Sequence, residues 1–153
     1  MLNKLPPIEK IYEAYSAIAD DRIILHADRA AVLSSDKSKE YTITWDGNIY
    51  ASDDNATYWQ GYPGYPVIAV LMKQEKLPLD MRIASHFAGV NWTELNAKYK
   101  RDYMKAAAAV LDSLECSNGE KEQIRAELHC VYEAIKLLDI KVKRGVPRGS
   151  KKA

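Results

Sequence analysis

Cysteine is scarce in this chain, long apolar runs are missing, and none of the familiar catalytic signatures occurs. Cys116 and Cys130 are its two cysteines. One falls at the end of an expected helix and the other inside the next, with about a dozen residues at roughly 1.5 Å rise between Cys130 and the intervening turn near Asn118. That is too far for a disulfide, whose Cα atoms must lie within about 7 Å, so both are expected as free thiols. No run reaches the roughly 18 apolar residues of a membrane span, and the opening Met1-Leu-Asn-Lys-Leu-Pro-Pro7 has no signal-peptide core. Both absences point to a cytoplasmic protein.

The chemistry-bearing motifs are also missing. There is no Walker loop, no dinucleotide glycine pattern and no Gly-x-Ser-x-Gly elbow. His26, His86 and His129 stand far apart, without a second His or Cys at ligand spacing. Asp46, Asp53 and Asp54 fit turn and cap roles better than a calcium loop. No cofactor and no metal is expected, and nothing in the chain requires catalysis.

What is present is a dense centre, Tyr41 to Met72. Glu40-Tyr-Thr-Ile-Thr-Trp45, then Asp46-Gly47, then Asn48-Ile-Tyr-Ala-Ser52 is a strong hairpin signal. A two-residue type I′ turn at Asp46-Gly47 would pair Trp45 with Asn48, Ile43 with Tyr50 and Tyr41 with Ser52, and the face carrying the aromatics should be buried. Ser52 to Asn55 offer caps for a short helical turn through Tyr58. Trp59-Gln-Gly-Tyr-Pro-Gly-Tyr-Pro66 packs two glycines and two prolines into eight residues, which excludes regular structure there and leaves large rings on a constrained loop. Pro66 suits a helix start, and Val67-Ile-Ala-Val-Leu-Met72, apolar on every side, reads as a buried central helix.

The flanks fill in the fold. From Pro7, Ile8, Ile11, Tyr12, Tyr15, Ile18 and Ala19 line one face of a first helix. Ile23–Ala27 and Ala30–Ser34 read as another hairpin turning at Asp28-Arg29. Beyond the centre, Asp80 caps a short helix, Gly89 suits a left-handed helix end, and Asn91-Trp-Thr-Glu94 caps a long helix reaching about Cys116. Ser117-Asn-Gly-Glu120 is both a helix stop and a new cap. Ile124, Leu128, Val131, Ile135, Leu138 and Val142 then form a heptad seam, which packs inside a monomer or helps to form a homodimer. The expectation is one α+β domain over residues 1–142: an N-terminal helix, a small antiparallel β-meander of three to four strands, a buried central helix and a C-terminal antiparallel helical hairpin.

Formal charge is +1 but uneven: six basic residues and no acid from Lys141 onward leave −5 on the first 140. Residues 143–153 read as a basic, disordered tail in which Val146-Pro-Arg-Gly-Ser150 matches part of a thrombin-cleavable linker. Two binding surfaces stand out. Tyr58, Trp59, Tyr62 and Tyr65 present rings suited to a protein or small-molecule partner, making a non-catalytic binding module one reading. Asp80 to Arg101 looks like a helix-turn-helix, which would bind nucleic acid through Lys98, Lys100 and Arg101 together with Lys143 and Arg144 of the tail. A small-molecule enzyme with a site assembled from distant residues is the third reading.

Overall fold

The structure is a computed structural model and describes residues 2–145. It is α+β, built on a five-stranded sheet in the order β1-β2-β3-β4-β5. Helix α1 (Lys10–Ala19) leads into β1 (Ile23–Leu25), β2 (Arg29–Leu33), β3 (Glu40–Asp46) and β4 (Ile49–Ser52), an antiparallel meander. A wide π-type turn, Ala56–Gln60, precedes α2 (Tyr65–Lys73), and four helices follow: α3 (Met81–Ser85), α4 (Trp92–Lys98), α5 (Tyr103–Ser113) and α6 (Asn118–Leu137). The chain then returns as β5 (Lys141–Arg144), parallel to β4.

The β3–β4 hairpin has the expected buried face but a different register. Asp46 pairs with Ile49 and Trp45 with Tyr50, so the turn residues are Gly47 and Asn48, not Asp46 and Gly47. Gly47 has φ +61° whereas Asn48 is not left-handed, which excludes the type I′ turn, since that needs both central residues at positive φ. Asn48 is held instead by a long-range tie: its side-chain amide donates to the Asp139 carbonyl. Because the slip is by two positions, side-chain parity survives, and Tyr41, Ile43 and Tyr50 still enter the core. The first hairpin turns at 27–28, one residue earlier than expected, with the His26 N–H donating to the Arg29 carbonyl.

Helix α2 is buried from Pro66 to Met72, as its all-apolar sequence requires; each of its Val, Ile, Leu and Met side chains contributes roughly 1.5–3 kcal/mol when fully buried. Helix α1 is the surprise. It shows a one-sided apolar stripe in sequence, yet every residue from Lys10 to Ile18 is buried. It packs on α2, while α3 and α6 lie against its remaining sides. Phe87, after α3, sits 5.0 Å from the Tyr12 ring and 5.8 Å from Tyr15. The Trp92 indole N–H donates to Ser16 Oγ at 2.7 Å, and that hydroxyl donates to the Phe87 carbonyl at 2.6 Å, so one buried hydroxyl links α1, α4 and the turn between α3 and α4.

Two helix boundaries differ from the sequence reading. The long helix expected to Cys116 is broken after α4: Lys100 (φ +53°) and Arg101 (φ +65°) are both left-handed, and Asp102 caps α5 by accepting from the Lys105 N–H. Spacing alone continues across this point because Leu95, Tyr99 and Tyr103 keep a helical period; the cap at Asp102 wins because its carboxylate stabilises a fresh helix start. Gly119, expected as a helix stop, lies inside α6, and α5 instead ends where Leu114 becomes extended.

The C-terminal seam stops early as well. Ile124, Leu128, Val131 and Ile135 are buried within the chain, but Leu138 takes an extended conformation and Val142 belongs to β5, not to a helix. Lys143 and Arg144 are strand residues for the same reason, not the start of a tail. The open edge of β4 needs partners for its main-chain groups. The Lys141 N–H supplies one to the Asn48 carbonyl and the Gly145 N–H another to the Ser52 carbonyl. The rest of the basic segment expected as disordered, residues 146–153, lies outside the described residues.

The break between α4 and α5 makes opposite predictions for neighbouring positions. Two non-glycine residues in the left-handed region store strain of roughly 1–2 kcal/mol each. Lys100→Gly should therefore leave stability unchanged or raise it by up to about 1 kcal/mol, while Ala97→Gly, within α4, should lower it by about 1 kcal/mol. Urea unfolding of the two variants checks this; equal losses would mean an unbroken helix.

Candidate functional site

Full burial of α1 brings polar groups inward, and they gather at one place. Glu13 of α1 is only 4% exposed, and Arg22, three residues beyond the helix, only 2%. Asp21 is left-handed (φ +52°), which turns the chain so that Arg22 folds back inward. Its Nη1 donates to the Leu33 carbonyl at 2.7 Å, and its own carbonyl accepts from the Leu33 N–H. Among the described residues Arg22 Nη2 has no well-formed hydrogen bond; Nε has an ion-pair contact of 3.5 Å with Asp20, and the guanidinium lies beside the Tyr65 hydroxyl, with which it interacts. Asn96 on α4 reaches the Glu13 carboxylate, while its Oδ1 is buried without a partner.

These groups line a chamber of about 280 Å³. Four further parts of the chain supply its walls: Tyr41 of β3, Tyr65 at the start of α2, Trp92 and Thr93 of α4, and Ser35 and Lys39 from the loop between β2 and β3. That loop is fixed because Ser35 Oγ accepts from the Thr93 N–H at 2.9 Å and lies 3.0 Å from the Thr93 hydroxyl. Within the loop, the Asp36 carboxyl is held down at about 2 by hydrogen bonds from Ser38 and Ser34. Tyr41 and Tyr65 meet edge to face at 6.3 Å. Burial pushes the Tyr65 hydroxyl upward, reinforced by Tyr41 and opposed by the Arg22 guanidinium.

Asn55, Arg101 and Tyr103 stand at the mouth and are shared with an adjoining cleft of about 550 Å³, lined further by Ala56, Trp59, Gln60 and Tyr62. The aromatic segment thus borders the chamber. Its rings play different parts: Tyr62 is buried, Tyr65 belongs to α2 and faces the chamber, and Trp59 is 66% exposed. Trp59 and Gln60, expected in irregular loop, belong to the π-type turn, and Tyr65 to α2, with Pro66 at its start as expected. The turn is built by Asp54, whose carboxylate accepts from the Ser52 hydroxyl and from the Thr57 N–H. Thr57 Oγ1 in turn accepts from the Gly64 N–H. A Cβ on Gly64 would lie 2.0 Å from Asp54 Oδ2, so only glycine allows this approach.

The basic residues singled out with the helix-turn-helix pattern lie on α4, in the break after it and on β5. Helix α4 has seven residues and buries Trp92; Lys98 ends it, and Lys100 and Arg101 sit in the break beyond. Arg101 instead lines both clefts. Arg144 of β5 donates from Nε to the Tyr58 carbonyl at 2.7 Å, with its guanidinium 4.8 Å from the Tyr58 ring and 5.6 Å from Trp59. Two candidate sets that are separate in sequence therefore share the aromatic turn. Glu13, Arg22 and Asn96 were not visible as candidates, because nothing in their spacing distinguishes a buried charge from an exposed one.

Beneath the cleft, Lys10 Nζ lies 3.4 Å from Glu13 Oε2 and 3.9 Å from the centre of the Tyr103 ring. Burial pushes Glu13 upward, opposed by Lys10 and by the Asn96 hydrogen bond. For Lys10, burial works to lower the value but is outweighed by Glu13 and the Tyr103 and Tyr62 rings, and the net direction is upward. A carboxyl raised in the folded chain loses its proton first when unfolded. Stability should therefore fall as pH rises above the ordinary carboxylate range, through the raised value of Glu13. Glu13→Gln should flatten that fall in a series of unfolding curves between pH 4 and 8. Lys10→Met should cost about 3–5 kcal/mol by stranding a buried carboxylate, and Lys10→Met with Glu13→Leu should recover most of it; thermal unfolding of the single and double variants decides.

Among the described residues no helix is long and apolar enough to cross a membrane. No curated protein and no solved structure matches the chain. Residues 3–141 match the family described as Uncharacterised conserved protein UCP014422, and the chain belongs to that family.

Proposed function

We propose that this protein is a non-catalytic binding module for a small molecule, held in the paired clefts with the aromatic turn as their lip. The observation that carries this reading is Trp59: a large ring, 66% exposed, on a turn held by buried hydrogen bonds, at the edge of a cleft that shares Asn55, Arg101 and Tyr103 with a polar chamber. Rings of this kind usually bury themselves, and one presented to solvent beside concave surface is suited to stacking on a ligand. The rigidity of the turn favours binding, since little ordering remains to be done when the ligand arrives. The left-handed pair Lys100-Arg101 adds strain at the mouth, a feature that clusters at functional sites.

The test is a thermal-shift screen of the full-length protein against a chemically diverse set of small metabolites, neutral and charged, followed by titration of any hit. A hit should change tryptophan emission in the wild type. Trp59→Ala should bind it on the order of tenfold more weakly, as expected for loss of one stacking ring, while leaving the melting temperature of the free protein nearly unchanged. A screen without hits, or a hit indifferent to Trp59, would overturn the reading.

A further inference from the structure

The inner chamber constrains what such a ligand must carry, on the premise that the clefts are a binding site. Three cations line it, Arg22, Lys39 and Arg101, against one acid, Glu13; Lys10 meets Glu13 at 3.4 Å and Asp20 meets Arg22 at 3.5 Å, which leaves Lys39 and Arg101 in excess among the described residues. Among the described residues Arg22 Nη2 is a buried donor with no well-formed hydrogen bond, the Tyr65 hydroxyl being the nearest group to act on the guanidinium, and Asn96 Oδ1 is a buried acceptor without a partner. A buried polar group left unmatched is costly, and a charged one more so. The lining thus carries more positive than negative charge and lacks a hydrogen-bond donor beside Asn96. We infer that the chamber takes a small organic anion, carboxylate or phosphate, bearing a hydroxyl or amine next to the anionic group.

Arginine presents its N–H groups as a planar fork that matches both carboxylate and phosphate oxygens. Arg101 at the mouth meets the anion on its way in and supplies a second positive charge. A chamber of about 280 Å³ admits a head group and a few carbons; anything larger extends past Arg101 into the outer cleft beside Trp59.

The experiment is isothermal titration of the full chain with succinate, malate, aspartate, inorganic phosphate, glycerol phosphate and, as the neutral control, glycerol. Malate or aspartate should bind more tightly than succinate if the anion is a carboxylate, and glycerol phosphate more tightly than inorganic phosphate if it is a phosphate; glycerol should not bind. Arg101→Gly removes the mouth cation and also relieves the left-handed strain, so it should fold at least as well as wild type and weaken the bound anion by roughly 10- to 100-fold. Arg22→Lys keeps the charge but loses the fork, and should weaken binding with Leu33 still paired. Binding of a neutral compound in the outer cleft with none of these anions bound would overturn this inference and leave the binding reading standing. Failure of every compound in both experiments would overturn both. An anion bound equally well by Arg101→Gly would show that it sits elsewhere, and would overturn the inference too.

Discussion

Burial of α1 on every side is the constraint from which the rest follows. A helix with one apolar stripe can lie on a surface, but this one is enclosed by α2, α3 and α6. Its polar residues therefore had to be matched inside the protein. Ser16 is matched by Trp92 and the Phe87 carbonyl, and Lys10 and Glu13 by one another. Each match ties a distant segment to the helix. The third set of groups, around Arg22 and Asn96, is matched only in part, and the partly matched region is where the chamber opens.

The sheet serves this arrangement from the other side. The meander turns Tyr41, Ile43 and Tyr50 toward α2, and α2 in turn sets Tyr65 against Tyr41 at the chamber wall. The Tyr50 hydroxyl, which donates to Gln74 and accepts from Lys76, ties the C-terminal end of α2 to the hairpin. The π-type turn between sheet and helix is held by Asp54, Thr57 and Gly64, side chains that close on one another too tightly for a larger residue. Trp59 stays exposed, its ring edge to face with Tyr58 at 4.7 Å and 5.6 Å from the Arg144 guanidinium.

Some of this was legible in the amino acids. The all-apolar run Val67–Met72 could only be a buried helix, because no face of it tolerates water. The hairpin with its aromatic face inward followed from β-branched alternation on either side of Gly47, and the caps at Asp80, Asn91 and Ser117 from side-chain oxygens placed to meet unpaired N–H groups. These are local interactions, complete within a few residues, and local chemistry suffices to decide them. The suspicion attached to the aromatic turn was of the same kind.

Other features required the assembled chain. The Gly47-Asn48 turn is tied to Asp139, some ninety residues away, and β5 pairs with the edge of β4 although Val142 continued a helical spacing. The break at Lys100-Arg101 overrode an uninterrupted helical period. Above all, the sequence cannot show that Glu13, Arg22 and Asn96 meet: a charged residue on an amphipathic helix reads as solvated until a second layer of structure covers it. Composition and periodicity by themselves determined the α+β class, the buried central helix and the rings of the turn, since each rests on near neighbours. Only tertiary packing decided which charges lost their water, and therefore where the chamber lies.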